Sequence, residues 1–141
     1  MYQSIVVGTD GSETAERAVG EAIRLAKALE GDLHVVSAFE PLRGARVEGA
    51  QVGTVLPDTN VQAVVEQSAA AARISGVSVK THAVTGDPAD ALLEIAAQEK
   101  ADLIVVGSRG MHGMMRVLGS VPNKISHQAR CSVLIVCTDS D

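Results

Sequence analysis

Aromatic residues are almost missing from this chain of 141 residues: Tyr2 and Phe39 are the full complement, and there is no tryptophan. Single-strand nucleic-acid binders stack bases on aromatic faces, so that class and the RNA-recognition sheets are excluded. Cysteine is scarce too. Cys131 and Cys137 stand six apart in a β-like run, hence roughly 20 Å apart along one strand, which is beyond disulfide reach. They read as two buried thiols in a reducing compartment. Long apolar runs are lacking: the longest aliphatic stretches, Leu103 to Val106 and Val133 to Cys137, fall far short of the ~20 residues of a membrane-spanning helix. Met1 to Asp10 has no basic segment and a single short apolar run, Ile5 to Val7, so no secretory signal is expected. A soluble, cytoplasmic protein with no membrane partner follows. Base is short relative to acid: 12 Lys and Arg stand against 17 Asp and Glu, a net charge of −5. That balance argues against a general nucleic-acid partner. The chain also has no Gly-Lys pair, which excludes a P-loop, and Gly8-Thr9-Asp10-Gly11 does not satisfy the dinucleotide fingerprint.

What is present is a regular alternation of apolar patterns. Ile5-Val6-Val7 runs into Gly8-Thr9-Asp10-Gly11-Ser12, a buried strand breaking into a turn with helix-capping chemistry. Ala15, Ala18, Val19, Ala22, Ile23, Ala26 and Leu29 then recur at helical spacing until Gly31. Leu33 to Ala38 is a second strand, and Glu40 to Pro57, rich in Gly, Arg and Pro, reads as a long flexible loop. Val61, Val64, Val65, Ala69 and Ala72 carry the helical period again; Val77, Val79, Thr81 and Ala83 alternate as a strand. Asp87 and Pro88 open a further helix as cap and first residue. Ala101 to Val106, Ser120 to Gln128 and Ser132 to Cys137 complete a β-α-β-α-β-α-β-α-β order. Near-continuous apolar strands in that order require a parallel sheet covered on both faces, a single α/β doubly wound domain over residues 1–141. In such folds ligands lie beyond the carboxyl ends of the strands. Asp10, Ser37, Ala38, Val84 and the residues after Gly107 stand there.

The segment after the fourth strand carries the chemistry. Gly107, Gly110, Gly119 and Ser120 form a G-x2-G-x8-G-S pattern that opens a helix at Ser120-Val121-Pro122. Glycines let backbone amides turn toward a ligand, and a helix N-terminus adds free N–H groups and a positive dipole end, which suit phosphate. The same glycines also serve plain turns. From Leu103 to Thr138 the chain holds Arg109, Arg116, Lys124 and Arg130 and no acid, a local net charge of +4. Arg109, Arg116 and Lys124 are placed to meet phosphate oxygens, whereas Arg130 reads as solvated surface. Asp10 and Glu13 would repel phosphate, so the first turn suits a ribose hydroxyl or a metal-bridged phosphate, unless Asp10 is simply a turn residue. The histidines, His34, His82, His112 and His127, sit on separate elements without a spaced Cys or carboxylate partner and give no zinc pattern. His34 and His82 read as edge or surface strand residues, and Met111, Met114 and Met115 as padding for a loop or a contact.

Val7-Gly8-Thr9-Asp10-Gly11-Ser12, Ala101 to Gly110, Gly119-Ser120-Val121-Pro122 and the final Val133-Leu134-Ile135-Val136, in this order and separation, resemble the universal stress protein family over essentially the whole chain. The resemblance implies a five-stranded parallel sheet of order 3-2-1-4-5 and, in the nucleotide-binding branch, an ATP site. That branch carries G-x2-G-x9-G-[S/T]; here the second gap is one residue shorter, a deletion expected to be absorbed near His112 to Met115. The resemblance places Asp10 at the ribose or at a nucleotide-bound Mg2+, as the candidate metal contact, with Gly8 and Thr9 also among the cofactor-binding residues. Ser37, Ala38 and Val84 would border adenine, and Gly107, Ser108, Arg109, Gly110, Gly119, Ser120, Val121 and Pro122 would hold ribose and phosphates. It further implies a homodimer through antiparallel pairing of the last strand, which would otherwise be an apolar edge.

Four functions compete. The first is an ATP-binding stress-response or signalling module, with AMP and cyclic AMP as alternatives because they share the adenine and ribose contacts. The second is a slow ATPase using Asp10 and a divalent cation, although no arginine finger or water-positioning base stands out. A dimeric interaction protein with a vestigial site is the third. A phospho-accepting receiver domain, the fourth, fails: Asp10 lies between Thr9 and Gly11, and the third strand ends at Val84-Thr85-Gly86 without an acidic cluster.

Overall fold

A computed structural model describes residues 2–39, 50–108 and 120–138, with the backbone alone for 39 and 50–60. Five strands, β1 (Ser4–Gly8), β2 (Asp32–Phe39), β3 (Val79–Thr85), β4 (Leu103–Gly107) and β5 (Ser132–Val136), form one sheet of order β3-β2-β1-β4-β5. Every neighbouring pair is parallel. Helices α1 (Glu13–Leu29), α2 (Ala50–Ile74), α3 (Pro88–Gln98) and α4 (Ser120–Gln128) connect and cover it. The expected architecture and strand order are those observed.

Alternation along the strands divides the core in two. Ile5, Val7, Leu33, Val35, Leu103 and Val105 meet Ala18, Val19 and Ala22 of α1 and Val65 and Ala72 of α2 on one face. Val6, Val36, Ile104 and Val106 meet Ala89, Leu92 and Ile95 of α3 and Ile125 of α4 on the other. Ile5, Leu33, Ile104 and Ile125 are completely buried, each contributing about 1.5–3 kcal/mol. Small alanines on α1 let that helix lie close to the strands, which fixes where its N-terminus points.

Local chemistry sets the helix ends. Ser12 caps α1 by accepting from the Ala15 N–H at 3.2 Å, and Asp87 caps α3 by accepting from the Asp90 N–H at 3.0 Å, with Pro88 in the first turn. At the end of α1 the left-handed residue is Glu30, with φ 58°. Gly31 serves a different purpose there: a Cβ on it would lie 2.6 Å from the Tyr2 carbonyl oxygen. At the opposite end of β1, the Asp102 carboxylate accepts from the backbone N–H groups of Gln3 and Ser4 at 3.0 and 3.1 Å, tying β4 to β1.

Three expectations need correction. Residues 50–57, expected as loop, form the opening turns of α2. Val52, Val55 and Leu56 stand at helical spacing, and the roughly 3 kcal/mol cost of Pro57 inside a helix is spread over a long run of other hydrogen bonds. Residues 40–49 lie outside the described part. The cysteines are not both buried: Cys131 is half-buried and Cys137 exposed, both free, because they flank β5, an edge strand covered less than the others. His34 is not an edge residue either. It is buried on β2, second from the edge, against His82 of β3. Among the described residues, no helix is long and apolar enough to cross a membrane.

Candidate functional site

β1 lies at the centre of the sheet, and the chain runs from it first toward β2 and later across to β4. The reversal leaves a crevice above the carboxyl ends of β1 and β4, since the flanking connections depart to opposite faces. A cleft of about 480 Å3 occupies that place. Gly8 and Gly107 form its floor, Val36, Ala38, Leu92 and Val106 its apolar wall, and Ser12 to Ala15 with Ser120 to Pro122 its rims. The rims are the first turns of α1 and α4, so two helix N-termini open onto one cavity. The first turns of both helices and their positive dipole ends border it.

The turn after β1 is held by a buried network. Thr9 Oγ1 donates to Glu16 Oε2 at 2.9 Å and accepts from the Gly11 N–H at 3.0 Å. Ser68 of α2, 1 % exposed, donates to the same Glu16 oxygen at 3.0 Å. One carboxylate therefore fixes the turn, α1 and α2 relative to one another. Gly11 sits at φ +86°, and a Cβ there would lie 3.1 Å from a Val64 methyl, so this turn favours glycine on both backbone and steric grounds. Asp10 is exposed at the mouth of the cleft, where its Oδ1 accepts from the Ser12 N–H at 2.9 Å. It is thus a turn residue whose carboxylate also borders the cavity.

Of the residues singled out in the sequence, Gly8, Thr9, Asp10, Ala38, Gly107, Ser120, Val121 and Pro122 come together on this cleft. Ser37 does not. It is one residue out of phase with Val36 and Ala38, so alternation turns its side chain to the other face, where it is buried. Val84 packs into the second core instead of lining the cleft. Ser108 acts one step back: its Oγ accepts from the N–H of Thr138 at 3.2 Å and so positions Thr138, a lining residue. Arg109, Gly110 and Gly119, like His112, Arg116 and the loop methionines, lie outside the described residues.

Lys124 is a correction. It was expected to face phosphate, but its Nζ lies 2.7 Å from Asp90 and 3.6 Å from Asp87 at the start of α3. The hydrogen bond with Asp90 holds its pKa above the ordinary lysine value. Among the described residues, the lining therefore contains the acids Asp10 and Glu13 and no cation. Sequence reasoning missed Leu92, Pro88, Val36 and Thr138. Their signal was available only in part: Pro88 and Thr138 stand at element ends, whereas Val36 in mid-strand and Leu92 on a helix face read simply as core.

The histidines require a second correction. His34 Nδ1 lies 3.1 Å from His82 Nε2, and His34 Nε2 lies 3.9 Å from a Glu99 oxygen. They are neither isolated nor without a carboxylate partner.

A parallel sheet of order 3-2-1-4-5 with a cavity at its switch point, rimmed by two helix N-termini, defines a doubly wound α/β protein. The chain belongs to the universal stress protein family, whose sequence profile it matches over residues 1–136. Universal stress protein Rv1636 of Mycobacterium tuberculosis is 36 % identical over 147 residues, with 97 % of each chain covered. Universal stress protein MJ0531 of Methanocaldococcus jannaschii is 33 % identical over 140 residues, covering 96 % of this chain and 82 % of that one. Among solved structures, a universal stress protein in complex with cAMP is similar with a TM-score of 0.79 at 35 % identity, covering 98 % of this chain and 99 % of that one.

Proposed function

We propose that the switch-point cleft binds an adenine nucleotide, ATP in the first place, and that the chain works as a nucleotide-dependent stress-response or signalling module. The observation that carries this reading is the convergence of the α1 and α4 N-termini on a glycine-floored cavity of about 480 Å3. Pockets for small ligands and cofactors span about 300–1,000 Å3 and combine apolar walls with a few directed polar groups. Adenine would lie against Val36, Ala38 and Leu92, and phosphate oxygens would receive the N–H groups at the start of α4 beside Ser120. Gly107, with Arg109, Gly110 and Gly119 of the adjoining segment, would complete the cradle. Asp10 fits a ribose hydroxyl or an Mg2+-bridged phosphate, because a bare carboxylate beside an unbridged triphosphate would repel it.

Cyclic AMP is the second reading. Asp10 and Glu13 at the mouth oppose high negative charge, and a similar universal stress protein has been solved with cAMP. Native mass spectrometry of freshly purified protein tests the proposal. A retained mass equal to an adenine nucleotide, one per chain, supports it, and a bare chain that takes up neither ATP nor cyclic AMP on addition rejects it. The same spectrum reads the oligomer. Among the described residues β5 pairs with β4 alone, and Leu134 is partly exposed on it, so antiparallel β5 pairing into a homodimer is the assembly the edge favours. Two free cysteines suit a reducing, cytoplasmic setting. Binding rather than turnover is the proposed role. Any genuine ATP hydrolysis would require Asp10 with a divalent cation and would disappear in Asp10→Ala.

A further inference from the structure

The face of β2 and β3 that α3 covers carries a second constellation, none of whose members lines the cleft. His34 and His82 project from neighbouring strands onto the same face: His34 is in register with Lys80, and His82 with Val36, so the two histidines are diagonal neighbours. Glu99, the C-cap residue of α3, comes over them from the helix layer. One nitrogen of each imidazole and one Glu99 oxygen all lie within 4.8 Å of one another. His34 is 4 % exposed, and the Glu99 side chain is 29 % exposed. A cavity of about 260 Å3 lined by His34, Glu99, Ser4, Asp32 and Lys80 opens beside them.

We propose that His34, His82 and Glu99 form a binding site for a divalent first-row transition ion of the zinc class. Two imidazoles and one carboxylate make up a recurrent three-ligand set for such ions, with the remaining position left for water. Zinc holds imidazole nitrogens at about 2.0–2.1 Å, which places two of them roughly 3.3 Å apart in a tetrahedron. The facing nitrogens of His34 and His82 are 3.1 Å apart. The Glu99 oxygen stands 3.9 Å from His34 Nε2, so its side chain must turn toward the facing nitrogens to share an ion with them, and its partial exposure leaves it room to do so. Burial lowers the pKa of both imidazoles, which keeps lone pairs available at neutral pH. The facing nitrogens now share one proton. On metal binding, the donating ring carries its N–H on its other nitrogen instead, so no proton is gained or lost. Asp32 and Lys80 at the opening oppose each other in sign, and Glu99 offsets one of the ion's two charges, the site keeping a net charge of +1 that a bound hydroxide or solvent anion can balance. The ion would brace β2, β3 and the end of α3, which also supplies Pro88 and Leu92 to the cleft.

The test uses the whole chain, stripped with a chelator and titrated with Zn2+ by calorimetry and with Co2+ by visible absorption. One Zn2+ per chain at micromolar or lower concentration, an intense tetrahedral-type Co2+ spectrum and a rise in Tm are expected. His82→Gln and Glu99→Gln should each weaken uptake at least about tenfold, while ATP binding stays unchanged. Uptake that persists undiminished in the double variant places the ion elsewhere and overturns the proposal, as does a wild-type chain that takes up no Zn2+. Should the variants fail to fold, imidazole nitrogen NMR of the wild-type chain decides. Zn2+ must move the His34 and His82 resonances, and saturation without movement refutes the site.

Discussion

Glu16 is the residue whose replacement should separate a structural brace from a bystander. Its carboxylate accepts from Thr9 and Ser68, both buried, and through Thr9 it holds the Gly11 N–H and the turn that borders the cleft. Glu16→Ala removes the acceptor for two buried hydroxyls. Each buried hydroxyl left without its partner costs about 1–3 kcal/mol; with Ser68 almost fully buried and Thr9 slightly less so, a loss of about 2–4 kcal/mol is expected. Glu16→Gln keeps one carbonyl acceptor and adds an N–H2 donor to which a hydroxyl can turn, so its cost should stay below about 1 kcal/mol. Urea unfolding reads the difference directly. With an m value of about 2 kcal/mol/M, the midpoint should fall by roughly 1–2 M in the alanine variant and by less than about 0.5 M in the glutamine variant. Affinity for ATP should drop about three- to tenfold in the alanine variant as the Thr9 turn loosens. Equal stability of the two variants, or an alanine variant as stable as wild type, would refute the network's assigned role.

Other perturbations give independent checks. Asp102→Ala removes two charge-assisted bonds to the Gln3 and Ser4 N–H groups and should lower stability by about 1.5–3 kcal/mol in chemical denaturation; a change under about 0.5 kcal/mol would contradict the clamp. Gly31→Ala places a Cβ 2.6 Å from the Tyr2 carbonyl oxygen, so a loss of about 1–3 kcal/mol is expected, whereas an alanine at the open Gly20 position should be neutral or stabilising. Cys137 should alkylate before Cys131 at pH 8 by mass spectrometry, since burial pushes the Cys131 thiol up and thus lowers its thiolate fraction; the reverse order would contradict that assignment. If β5 pairs two chains as proposed, the wild type should sediment as a dimer and Leu134→Lys as a monomer; a monomeric wild type or an unchanged dimer in the variant would contradict that pairing.

The sheet was legible from the sequence because its strands are short, continuous aliphatic runs separated by capped helices. Ser12, Asp87 and Pro88 marked helix starts by chemistry that depends on neighbours a few residues away. Long-range geometry was not legible in the same way. The contact of His34 with His82 depends on β2–β3 register, and Glu99 reaches them only because α3 ends over that face. Ser37 and Ala38 looked equivalent as strand-end residues; only the pleat assigns one to the core and the other to the cleft. Lys124 appeared as free positive charge because Asp87 and Asp90 are distant in sequence. The opening turns of α2 were obscured by Gly53 and Pro57, whose propensities the rest of a long helix overrides.

The proposed role of the cleft rests on backbone N–H groups and dipole ends rather than on cations among its described residues, so the most direct test adds negative charge without harming the helix. Ser120→Glu puts a carboxylate in the first turn of α4, where it favours the helix by about 0.3–1 kcal/mol while opposing an incoming phosphate. Calorimetric titration of wild type and this variant with Mg-ATP, ADP, AMP and cyclic AMP should show one site per chain in the wild type. The variant should bind at least about tenfold more weakly with no loss of Tm. Wild-type chain with no affinity below millimolar for any of the four nucleotides, or a variant that binds them equally well, would contradict the assignment of the cleft.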